Sequence, residues 1–422
     1  MKLSEELAWR GFNNQTTLTD LAQLDKDKWI FYHGYDASVD SLTVGNLAAV
    51  MLDKLFLRHG SKAILLAGGA TSLIGDPGGK DSERVLQDEQ TISRNVRKVK
   101  QQIESLVASE VHMVNNLDWF KSMDVLEFLR DVGKHFSMTP LVQRDYIANR
   151  MGEKGSGISY TEFSYTLLQG YDFLHLYQKY GVELQLAGSD QWGNAISGIE
   201  LVRRVEGKEV HALTMPLIIN KSTGKKFGKS EEGAIWLDAD KTSPYRFYQF
   251  WLNIGDEGVE DYLKIYTELD KKQIDKIMEE FKEDPSKRYA QRRLAQEVTH
   301  LVHGAERLER VEKITEAIFQ QSNLDVLSHH EIEDMKKELP FLEVHSGADI
   351  VTEIVSLGLA SSKTEARNFV QQGGISINGI KLPPTTQELL ETDFVHHIGD
   401  QSAPHFALVK RGKNKIGLLI KK

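Results

Sequence analysis

The 422-residue chain has no cysteine, and this absence excludes disulfide bonds, thiol catalysis and cysteine-ligated metal sites. It also has no apolar run of membrane-spanning length, and its charged first residues lack the apolar core of a secretory signal peptide. The net charge of −9 argues against a general nucleic-acid coat, although it is compatible with local basic surfaces. We therefore expect a cytoplasmic protein that does not associate with membranes.

Apolar strand patterns alternate with helical patterns through the first half of the chain. The continuous apolar run Lys62–Ala67 ends at a glycine pair, which is typical of a central parallel strand. Further strand candidates are 111–114, 182–187 and 211–220, and the helical patterns are 90–108, 125–133 and 162–180. This alternation predicts an α/β doubly wound domain with a parallel sheet, extending to about residue 220.

The second half of the chain is poorer in strands. Helical patterns at 269–282, 285–302 and 305–319 predict a helical second domain. The stretch 322–347 has no long periodic pattern, and we interpret it as a connector with one helix near 330–338. A chain of this length is expected to hold two or three domains, so a small third unit is placed from residue 348 onwards.

The third unit has a hairpin signal and a basic end. Asn378-Gly379 lies between two short β-rich runs, which is a strong signal for a tight hairpin turn. Lys410–Lys422 contains six basic residues and no acidic one. On an acidic protein this tail is the expected contact for nucleic-acid phosphates, and its interspersed apolar residues argue against a disordered end.

The stretch Phe31–Asn46 carries the first group of chemically active residues. A short strand, Trp29–Tyr32, is expected to break at Gly34, and helical spacing begins at Leu42 after a polar loop. In open α/β sheets ligands bind at such a strand-to-helix edge, and a helix N-terminus can receive a phosphate. Gly45 costs roughly 1 kcal/mol of helix propensity, which favours close approach of a ligand over a structural role.

A glycine-rich stretch, 68–80, follows the central strand directly and suggests backbone that approaches a ligand. It fails the Walker pattern for a phosphate loop, because Asp81 stands where serine or threonine belongs. Its charged residues Asp76, Lys80 and Arg84 are not needed by a simple flexible turn. They therefore favour a functional loop.

A row of polar side chains lies on one face of the third predicted helix. Tyr165, Gln169 and Asp172 are spaced by four and three residues, so that they share that face. Three polar groups there would be a poor core, and we favour a ligand-facing row over a satisfied core network. A carboxylate beside amide and phenol groups suits a ligand that has both an ammonium group and a hydroxyl.

Two further loops complete the candidate site. Gln185, Asp190 and Gln191 lie where a buried strand ends in a glycine-bearing turn, and they are expected to face the same crevice. The loop 225–230 has three lysines around a glycine. It is either a solvated basic loop or a mobile clamp whose ammonium groups stabilise charge on transferring phosphates.

These motifs together resemble a known enzyme family. Thr-Val-Gly-Asn at 43–46 and Lys-Phe-Gly-Lys-Ser at 226–230 resemble the two signatures of class I aminoacyl-tRNA synthetases. The helix row and Gly188–Asn194 narrow the resemblance to bacterial-type tyrosyl-tRNA synthetases, with tryptophan-specific relatives as the nearest rival. Further matching segments are 75–77, 128–136 and 243–251, and 348–381 resembles an S4-type RNA-binding module. The resemblance covers nearly the whole chain.

The resemblance implies a domain plan and a reaction. Residues 1–225 would form a Rossmann-like catalytic domain, 226–321 a lysine loop and an α-helical anticodon-binding domain, 322–347 a linker, and 348–422 an S4-like α+β domain with the basic tail. The chain would be a homodimer that uses ATP with Mg²⁺ to activate L-tyrosine and transfers it to tRNA(Tyr). Two other hypotheses remain, a non-catalytic tyrosine-binding paralogue and a structured-RNA-binding scaffold.

The resemblance also implies a role for each candidate residue. Tyrosine would be held by Tyr32, Asp76, Tyr165, Gln169, Asp172, Gln185 and Gln191. The nucleotide would be bound by His33, Gly34, Asp36, Gly45, Gly188, Asp190 and Lys229. The phosphates and the leaving pyrophosphate would be met by Ser38, Thr43, Asn46, Lys80, Arg84, Lys226 and Lys229. No protein ligand for a metal ion is implied.

One position departs from the family's pattern. The first histidine of the four-residue signature is replaced by Thr43, whose shorter neutral hydroxyl can still donate a hydrogen bond to a phosphate oxygen. Loss of a charge-assisted hydrogen bond costs about 1.5–3 kcal/mol, or roughly 10- to 100-fold in rate. We therefore predict slower adenylate formation than in a histidine-bearing relative.

Overall fold

A computed structural model of the protein describes residues 1–26, 28–76, 87–107, 111–152, 155–230, 233–396, 402–412 and 415–422. The chain folds as two compact units, one of residues 1–242 and 251–302 and the other of residues 243–250 and 303–422. The domain boundaries inferred from the sequence at residues 225, 321 and 347 stay predictions. None of the helices in the described ranges is both long enough and apolar enough to span a bilayer.

The first unit contains a six-stranded sheet, and its parallel core confirms the predicted α/β class. The strands are β1 (Gln15–Thr16), β2 (Ile30–Asp36), β3 (Lys62–Gly68), β4 (His112–Asn115), β5 (Leu184–Gly188) and β6 (His211–Met215). Their order is β1-β6-β5-β2-β3-β4, and all neighbours except β1 and β6 run parallel. A small hairpin, β7 (Lys229–Ser230) with β8 (Gly233–Ala234), follows in the lysine loop.

The sheet reverses its winding between β2 and β5. The chain moves outward from β2 through β3 to β4 and then returns to the other side of β2 with β5. Tyr32 in β2 is therefore paired with Ile64 in β3 and with Gln185 in β5. In a doubly wound sheet the carboxyl ends of the strands at such a switch point leave a crevice for ligands.

Two strand predictions were wrong at their ends, for identifiable reasons. β2 does not break at Gly34, because β3 pairs with it along its whole length to Asp36 opposite Gly68. The predicted strand 211–220 ends at Met215, since Pro216 follows and has no N–H group for a strand ladder. The helix expected from Leu42 begins two residues later, with Thr43 as its N-cap.

The helices that the sequence predicted are present to within a few residues of their expected bounds, apart from the segment after residue 124. Several other helices, among them the 15-residue Trp192–Glu206, were not predicted. The helices are α1 (Leu3–Arg10), α2 (Val44–Arg58), α3 (Gly69–Ile74), α4 (Glu89–Val107), α5 (Leu117–Phe120), α6 (Val125–Glu127), α7 (Met138–Val142), α8 (Asp145–Met151), α9 (Tyr160–Tyr180), α10 (Trp192–Glu206), α11 (Pro244–Leu252), α12 (Val259–Tyr266), α13 (Lys271–Glu283), α14 (Tyr289–His303), α15 (Ala305–Gln320), α16 (His329–Glu338), α17 (Ile350–Ser356) and α18 (Lys363–Gln371). The pattern at 125–133 gives only one α-turn, which continues as the π-helical turn Phe128–Val132.

Helix α9 carries the polar row, and its own residues fix where it starts and stops. Ser159 caps its first turn by accepting a hydrogen bond from the backbone N–H of Glu162 at 3.2 Å. It ends at Gly181, which has a φ of +68° and closes the last turn in the left-handed conformation. Between these ends, Phe173 and Leu176 are buried in the core behind the site.

The second unit is built on a five-stranded sheet. Its strands are β9 (Phe341–Val344), β10 (Ile375–Ile377), β11 (Ile380–Lys381), β12 (Phe406–Arg411) and β13 (Lys415–Lys421), in the order β11-β10-β12-β13-β9. The hairpin prediction is confirmed, since Asn378 and Gly379 have φ values of +49° and +84° and join two antiparallel strands. The described parts of the basic tail belong to strands β12 and β13, and β13 buries Ile416, Leu418, Leu419 and Ile420 in the core.

Candidate active site

A cavity of about 480 Å³ lies at the switch point between β2 and β5. It brings together residues from several segments that are far apart in sequence. The predicted site residues on its wall are Tyr32, His33, Gly34, Asp36, Thr43, Gly45, Asn46, Asp76, Tyr165, Gln169, Asp172, Gln185, Gly188, Asp190, Gln191 and Lys226. Ser38 is not on the wall, Lys229 lies in β7, and Lys80 and Arg84 fall outside the described residues.

Asp172 forms the polar floor of the cavity. Its side chain is buried, and it accepts hydrogen bonds from Trp119 Nε1 at 2.9 Å and from Asn116 Nδ2 at 3.1 Å. Burial raises the pKa of this carboxyl to about 7, and the two hydrogen bonds only partly oppose that rise. The two donors hold the carboxylate in place, so that it can still accept a hydrogen bond from a ligand hydroxyl.

Sequence reasoning missed Trp119 and Asn116. Asn116 follows β4 directly, at the same edge of the sheet as the other site residues, and this position was the available signal. It is fully buried, and its Oδ1 accepts a hydrogen bond from the backbone of Ala70 at 2.7 Å. Asn116 therefore ties the acidic floor to the start of the glycine-rich stretch.

Several buried polar atoms around the cavity lack a partner. Within the described part of the chain, the hydroxyl of Tyr32 and the side-chain oxygens of Gln169 and Gln185 have no hydrogen-bond partner. A buried polar group without a partner costs about 1–3 kcal/mol, so three in one cavity are difficult to explain by stability. They are accounted for if a polar ligand completes their hydrogen bonds.

The acidic and amide groups at the rim form a connected network. Gln191 Nε2 donates to Asp76 Oδ2 at 2.7 Å, and Asn194 Nδ2 donates to Gln191 Oε1 at 3.0 Å. The Asp76 carboxylate and the unpartnered amide oxygens are all acceptors. Such a set is suited to an ammonium group.

The N-terminus of α2 forms the opposite end of the cavity. Thr43 Oγ1 donates a hydrogen bond to Asn46 Oδ1 at 2.8 Å, and the Thr43 backbone N–H donates to the same oxygen at 3.0 Å. A Cβ added to Gly45 would lie 3.5 Å from Thr43 Oγ1 and 3.9 Å from the carbonyl oxygen of Phe227. These are ordinary contacts, so the fold itself does not require glycine at this position. The positive end of the helix dipole makes this a suitable place for phosphate.

The lysine loop is held against this helix end. Gly228 has a φ of +86°, and a Cβ added there would lie 3.1 Å from the backbone nitrogen of Gly45. The backbone N–H of Val44 also donates to the carbonyl oxygen of Ile235 at 3.0 Å, beyond the β7–β8 hairpin. Lys226 lies on the cavity wall as a result.

Phe227 anchors that loop in a set of aromatic rings. It is buried, and its ring stacks on Tyr262 with centroids 4.4 Å apart. The rings of Trp251 and Tyr266 lie 5.6 Å from it on other sides. Aromatic pairs at such distances contribute beyond the area they bury, so Phe227 fixes where the neighbouring Lys226 stands.

A separate group of possible metal ligands lies in the second unit. Glu391, His396 and His405 place their ligand atoms within 4.8 Å of one another. The sequence did not predict this group, because the antiparallel bridge between Val395 and Phe406 creates it. Lys421 already donates a hydrogen bond to Glu391, and Glu391 and His396 are exposed.

Comparison with known proteins decides the family. A family model of class I tRNA synthetases for tryptophan and tyrosine matches residues 24–320, and a model of the C-terminal domain of tyrosine–tRNA ligases matches residues 331–419. The tyrosine–tRNA ligase of Bacillus caldotenax is 43% identical over 429 residues, covering 99% of each chain. The chain belongs to the tyrosine–tRNA ligase family. The tyrosine–tRNA ligase of Klebsiella pneumoniae is 42% identical over 97% of this chain and 96% of its own.

Solved structures agree with this assignment. A C-terminally truncated mitochondrial tyrosyl-tRNA synthetase from Aspergillus nidulans superposes with a TM-score of 0.68 and 30% identity, over 75% of this chain and 94% of that one. A tryptophanyl-tRNA synthetase from Encephalitozoon cuniculi has a TM-score of 0.53 at 12% identity, which shows a shared fold only. The predicted family, fold class and ligase activity are thus confirmed, and the tryptophan-specific rival is not supported.

The departure at Thr43 gives a first prediction for this tyrosine–tRNA ligase. Thr43 donates its hydroxyl proton to Asn46, so it must give up that bond before it can donate to a phosphate. We expect Thr43→His to raise the rate of tyrosine-dependent ATP–pyrophosphate exchange by about 10-fold or more, because a charge-assisted donor is gained. Thr43→Ser, which keeps the hydroxyl, serves as the control. An exchange rate that does not rise in Thr43→His would sink the idea.

Asp172 gives a second prediction, on stability and pH. The folded pKa of about 7 exceeds the ordinary 3.8, so the folded state binds the extra proton between these values and stability falls as pH rises through that window. Asp172→Asn removes the titration and should gain about 2 kcal/mol relative to wild type between pH 5.5 and pH 8.5. Urea unfolding of both ligand-free proteins at the two pH values measures this. A stability difference that is the same at both pH values would contradict the assignment.

Proposed function

We propose that the chain activates L-tyrosine with ATP to tyrosyl-adenylate and pyrophosphate, and then transfers tyrosine to the 3′ end of tRNA(Tyr). The observation that carries the proposal is the set of cavity atoms without a partner in the described chain, the Tyr32 hydroxyl and the amide oxygens of Gln169 and Gln185, on the same wall as buried Asp172. Their chemistry matches a ligand with a phenol at one end and an ammonium group at the other. The α2 N-terminus, with Lys226 beside it, supplies positive charge for the phosphates at the far end of the same cavity.

Tyrosine would bind with its phenol on the floor of the cavity. Its hydroxyl would donate to Asp172 and accept from Tyr32, whose own hydroxyl has no other partner in the described chain. Its ammonium group would contact Asp76, Tyr165 and the oxygen of Gln169, with Gln185 supporting the row and Gln191 reaching the carboxylate. The Tyr32 hydroxyl and the Gln169 oxygen would thus acquire hydrogen bonds, and the bonds to the phenol hydroxyl are the basis for selecting tyrosine.

ATP would lie across the carboxyl ends of β2 and β5. His33, Gly34, Asp36, Gly45, Gly188 and Asp190 would bind its adenosine part. A tyrosine carboxylate oxygen would attack the α-phosphorus, and the bond to the bridging oxygen of pyrophosphate would break. A 3′-terminal ribose hydroxyl of tRNA would then attack the tyrosyl carbonyl, with AMP as the leaving group. Neither step requires a covalent enzyme intermediate, so catalysis is positioning and charge stabilisation.

The phosphates would be met by the α2 N-terminus and the basic residues around it. Thr43, Asn46 and Lys226 on the cavity wall would contact the phosphates. The roles of Ser38, Lys80, Arg84 and Lys229 at the same phosphates rest on the family resemblance alone. Mg²⁺ would arrive with ATP and neutralise charge on the leaving pyrophosphate. The ion would be held through the phosphates, and the side-chain oxygens of Thr43 and Asn46 on this part of the wall are of the ligand type that it prefers, so the wall fits the ion.

The second unit is proposed to bind tRNA(Tyr) through its basic strands. β12 and β13 carry Lys410, Arg411 and Lys415 at adjoining ends, paired across the hairpin. The Arg411 guanidinium also lies 4.6 Å above the ring of Phe369, which holds it on the surface. Contacts of this type bind the RNA backbone and weaken with salt.

We also propose a cytoplasmic homodimer. The run 125–135 resembles the family's dimer-forming region and exposes apolar side chains, with Val125 65%, Leu126 71% and Leu129 45% exposed. Met138, just after this run, is 57% exposed. Such a group on a surface is typical of a protein interface. Light scattering should give twice the mass of the chain, and Leu126→Glu should shift the protein towards monomer. A monomeric wild-type protein at micromolar concentration would refute the dimer.

One two-step assay tests the proposed function. Tyrosine-dependent ATP–pyrophosphate exchange reports adenylate formation, and charging of tRNA(Tyr) reports transfer. The proposal predicts both activities. Tyrosine binding without exchange would indicate a non-catalytic tyrosine-binding paralogue. RNA binding without either tyrosine binding or exchange would indicate a structured-RNA-binding scaffold.

A further inference from the structure

A fully buried carboxylate lies beneath the nucleotide end of the cavity. Asp53 on α2 has no exposed surface, and its Oδ1 lies 2.8 Å from His33 Nδ1. Its Oδ2 accepts a hydrogen bond from the hydroxyl of Tyr35. His33 and Tyr35 alternate along β2 and therefore face α2 on the same side of the sheet. Both side chains are buried.

Folding stability alone does not explain why a carboxylate occupies this buried position. On the same face of α2, Val50 three residues before Asp53 and Phe56 three residues after it are both buried, so an apolar side chain would suit the position. Taking a charge out of water costs several kcal/mol, and replacing a buried ion pair with apolar residues is often neutral or stabilising. Asp53, His33 and Tyr35 together form a polar cluster inside an otherwise apolar interface.

The cluster is connected to the cavity through the histidine ring. His33 and Tyr35 lie on the cavity wall, together with Asn46 and Ala49 of α2, whereas Asp53 does not. Nδ1 and Nε2 are on opposite sides of an imidazole ring, so the bond to Asp53 turns Nε2 away from the carboxylate. A carboxylate can only accept, so Nδ1 carries the proton and Nε2 of the neutral ring is left as an acceptor.

We propose that Asp53 is a positioning residue for the nucleotide, although it never touches it. It holds His33 in the Nδ1–H tautomer and in one ring orientation, so that Nε2 accepts a hydrogen bond from a ribose hydroxyl of ATP. The proposal rests on the proposed function, because it takes ATP to be the ligand at this end of the cavity. It makes Asp53 a determinant of selectivity for ribose over deoxyribose.

The test uses the full-length protein in tyrosine-dependent pyrophosphate exchange with ATP, 2′-deoxy-ATP and 3′-deoxy-ATP. The wild-type protein should prefer ATP over one of the deoxy analogues by about 10-fold in kcat/KM, the value of one hydrogen bond. Asp53→Asn keeps the shape, but its amide can donate to Nδ1 and so place the proton on Nε2. We expect it to reduce that preference to about 2-fold or less and to raise the KM for ATP, with the KM for tyrosine unchanged.

Two further variants separate positioning from stability. His33→Asn can still donate to Asp53 but does not reach as far as Nε2, so it should lose the ribose preference while keeping the buried bond. Tyr35→Phe removes the other hydrogen bond of Asp53 and should keep the preference, even if it lowers the melting temperature. If Asp53→Asn fails to fold, the ¹⁵N NMR signals of His33 in the wild-type protein decide the matter, because a ring protonated on Nδ1 would support the proposal and a ring protonated on Nε2 would overturn it.

With the variants, two outcomes would overturn the proposal. One is an Asp53→Asn protein that is less stable but keeps the full ribose preference. The other is a His33→Asn protein that keeps it. Failure of the proposed function would be seen differently, as absence of tyrosine-dependent exchange in the wild-type protein.

Discussion

Asp172→Asn lowers kcat/KM for tyrosine in pyrophosphate exchange by about 100- to 1000-fold. Trp119 donates a hydrogen bond to one carboxylate oxygen of Asp172, and Asn116 donates a hydrogen bond to the other. An asparagine offers one oxygen and one NH₂ group, so one buried donor would face another donor and lose its partner. That loss is present in the free enzyme too, so it lowers stability. The fall in kcat/KM comes from the missing charge-assisted bond to the phenol and from the phenol hydroxyl left without this acceptor, together at least about 2.5 kcal/mol or roughly 100-fold.

Two other variants distinguish the loss of phenol binding from a general disruption of the protein. Tyr32→Phe removes a neutral hydrogen bond to the same phenol, so it should cost only about 10-fold. Asp118→Asn changes an exposed carboxylate next to Trp119 and should leave kcat/KM within about 2-fold, because its charge is solvated. An Asp172→Asn protein that folds and stays within about 10-fold of wild type would show that this carboxylate does not bind the phenol.

Lys226→Ala lowers kcat for exchange by about 100- to 1000-fold and leaves the KM for tyrosine within about 3-fold. Lys226 lies on the cavity wall, in the loop that meets the N-terminus of α2, where the phosphates are proposed to bind. An ammonium group that meets charge developing on pyrophosphate acts in the transition state, and removal of one such donor costs about 10²–10³ in kcat. Binding of the amino acid does not involve this group.

The adjacent lysine provides a matched control. Lys225 is exposed and does not line the cavity, so Lys225→Ala should keep kcat within about 2-fold. The aromatic anchor predicts an intermediate effect for Phe227→Leu, which keeps the loop apolar but removes stacking on Tyr262. Equal losses in Lys225→Ala and Lys226→Ala would mean that the loop acts through net charge only.

The sequence predicted those features that are determined by neighbouring residues, such as helix faces and tight turns. The row Tyr165, Gln169 and Asp172 followed from spacings of four and three, and all three side chains line the cavity. The hairpin at Asn378-Gly379 followed from turn chemistry that requires positive φ. In each case, the residues that carry the signal lie within a few positions of one another in the chain.

The missed features depend on contacts between distant segments. Trp119 and Asn116 reach Asp172 across more than fifty residues, and Phe227 finds its rings on helices that follow it in the chain. Asp53 interrupts a helix pattern that otherwise reads as core, and only the packing of α2 against β2 shows its partners. The end of β2 was misjudged for the same reason, because a neighbouring strand extended it beyond Gly34.

The most direct test of the proposed tyrosine site is the ratio of kcat/KM for tyrosine to that for phenylalanine in pyrophosphate exchange by the wild-type protein. The two amino acids differ by the hydroxyl that Asp172 and Tyr32 are proposed to bind. We expect a strong preference for tyrosine, and tyrosyl-tRNA synthetases are the established example of such selectivity, at about 10⁴- to 10⁵-fold. A ratio below about 10-fold, the value of a single hydrogen bond, or no exchange with tyrosine at all, would contradict this binding mode.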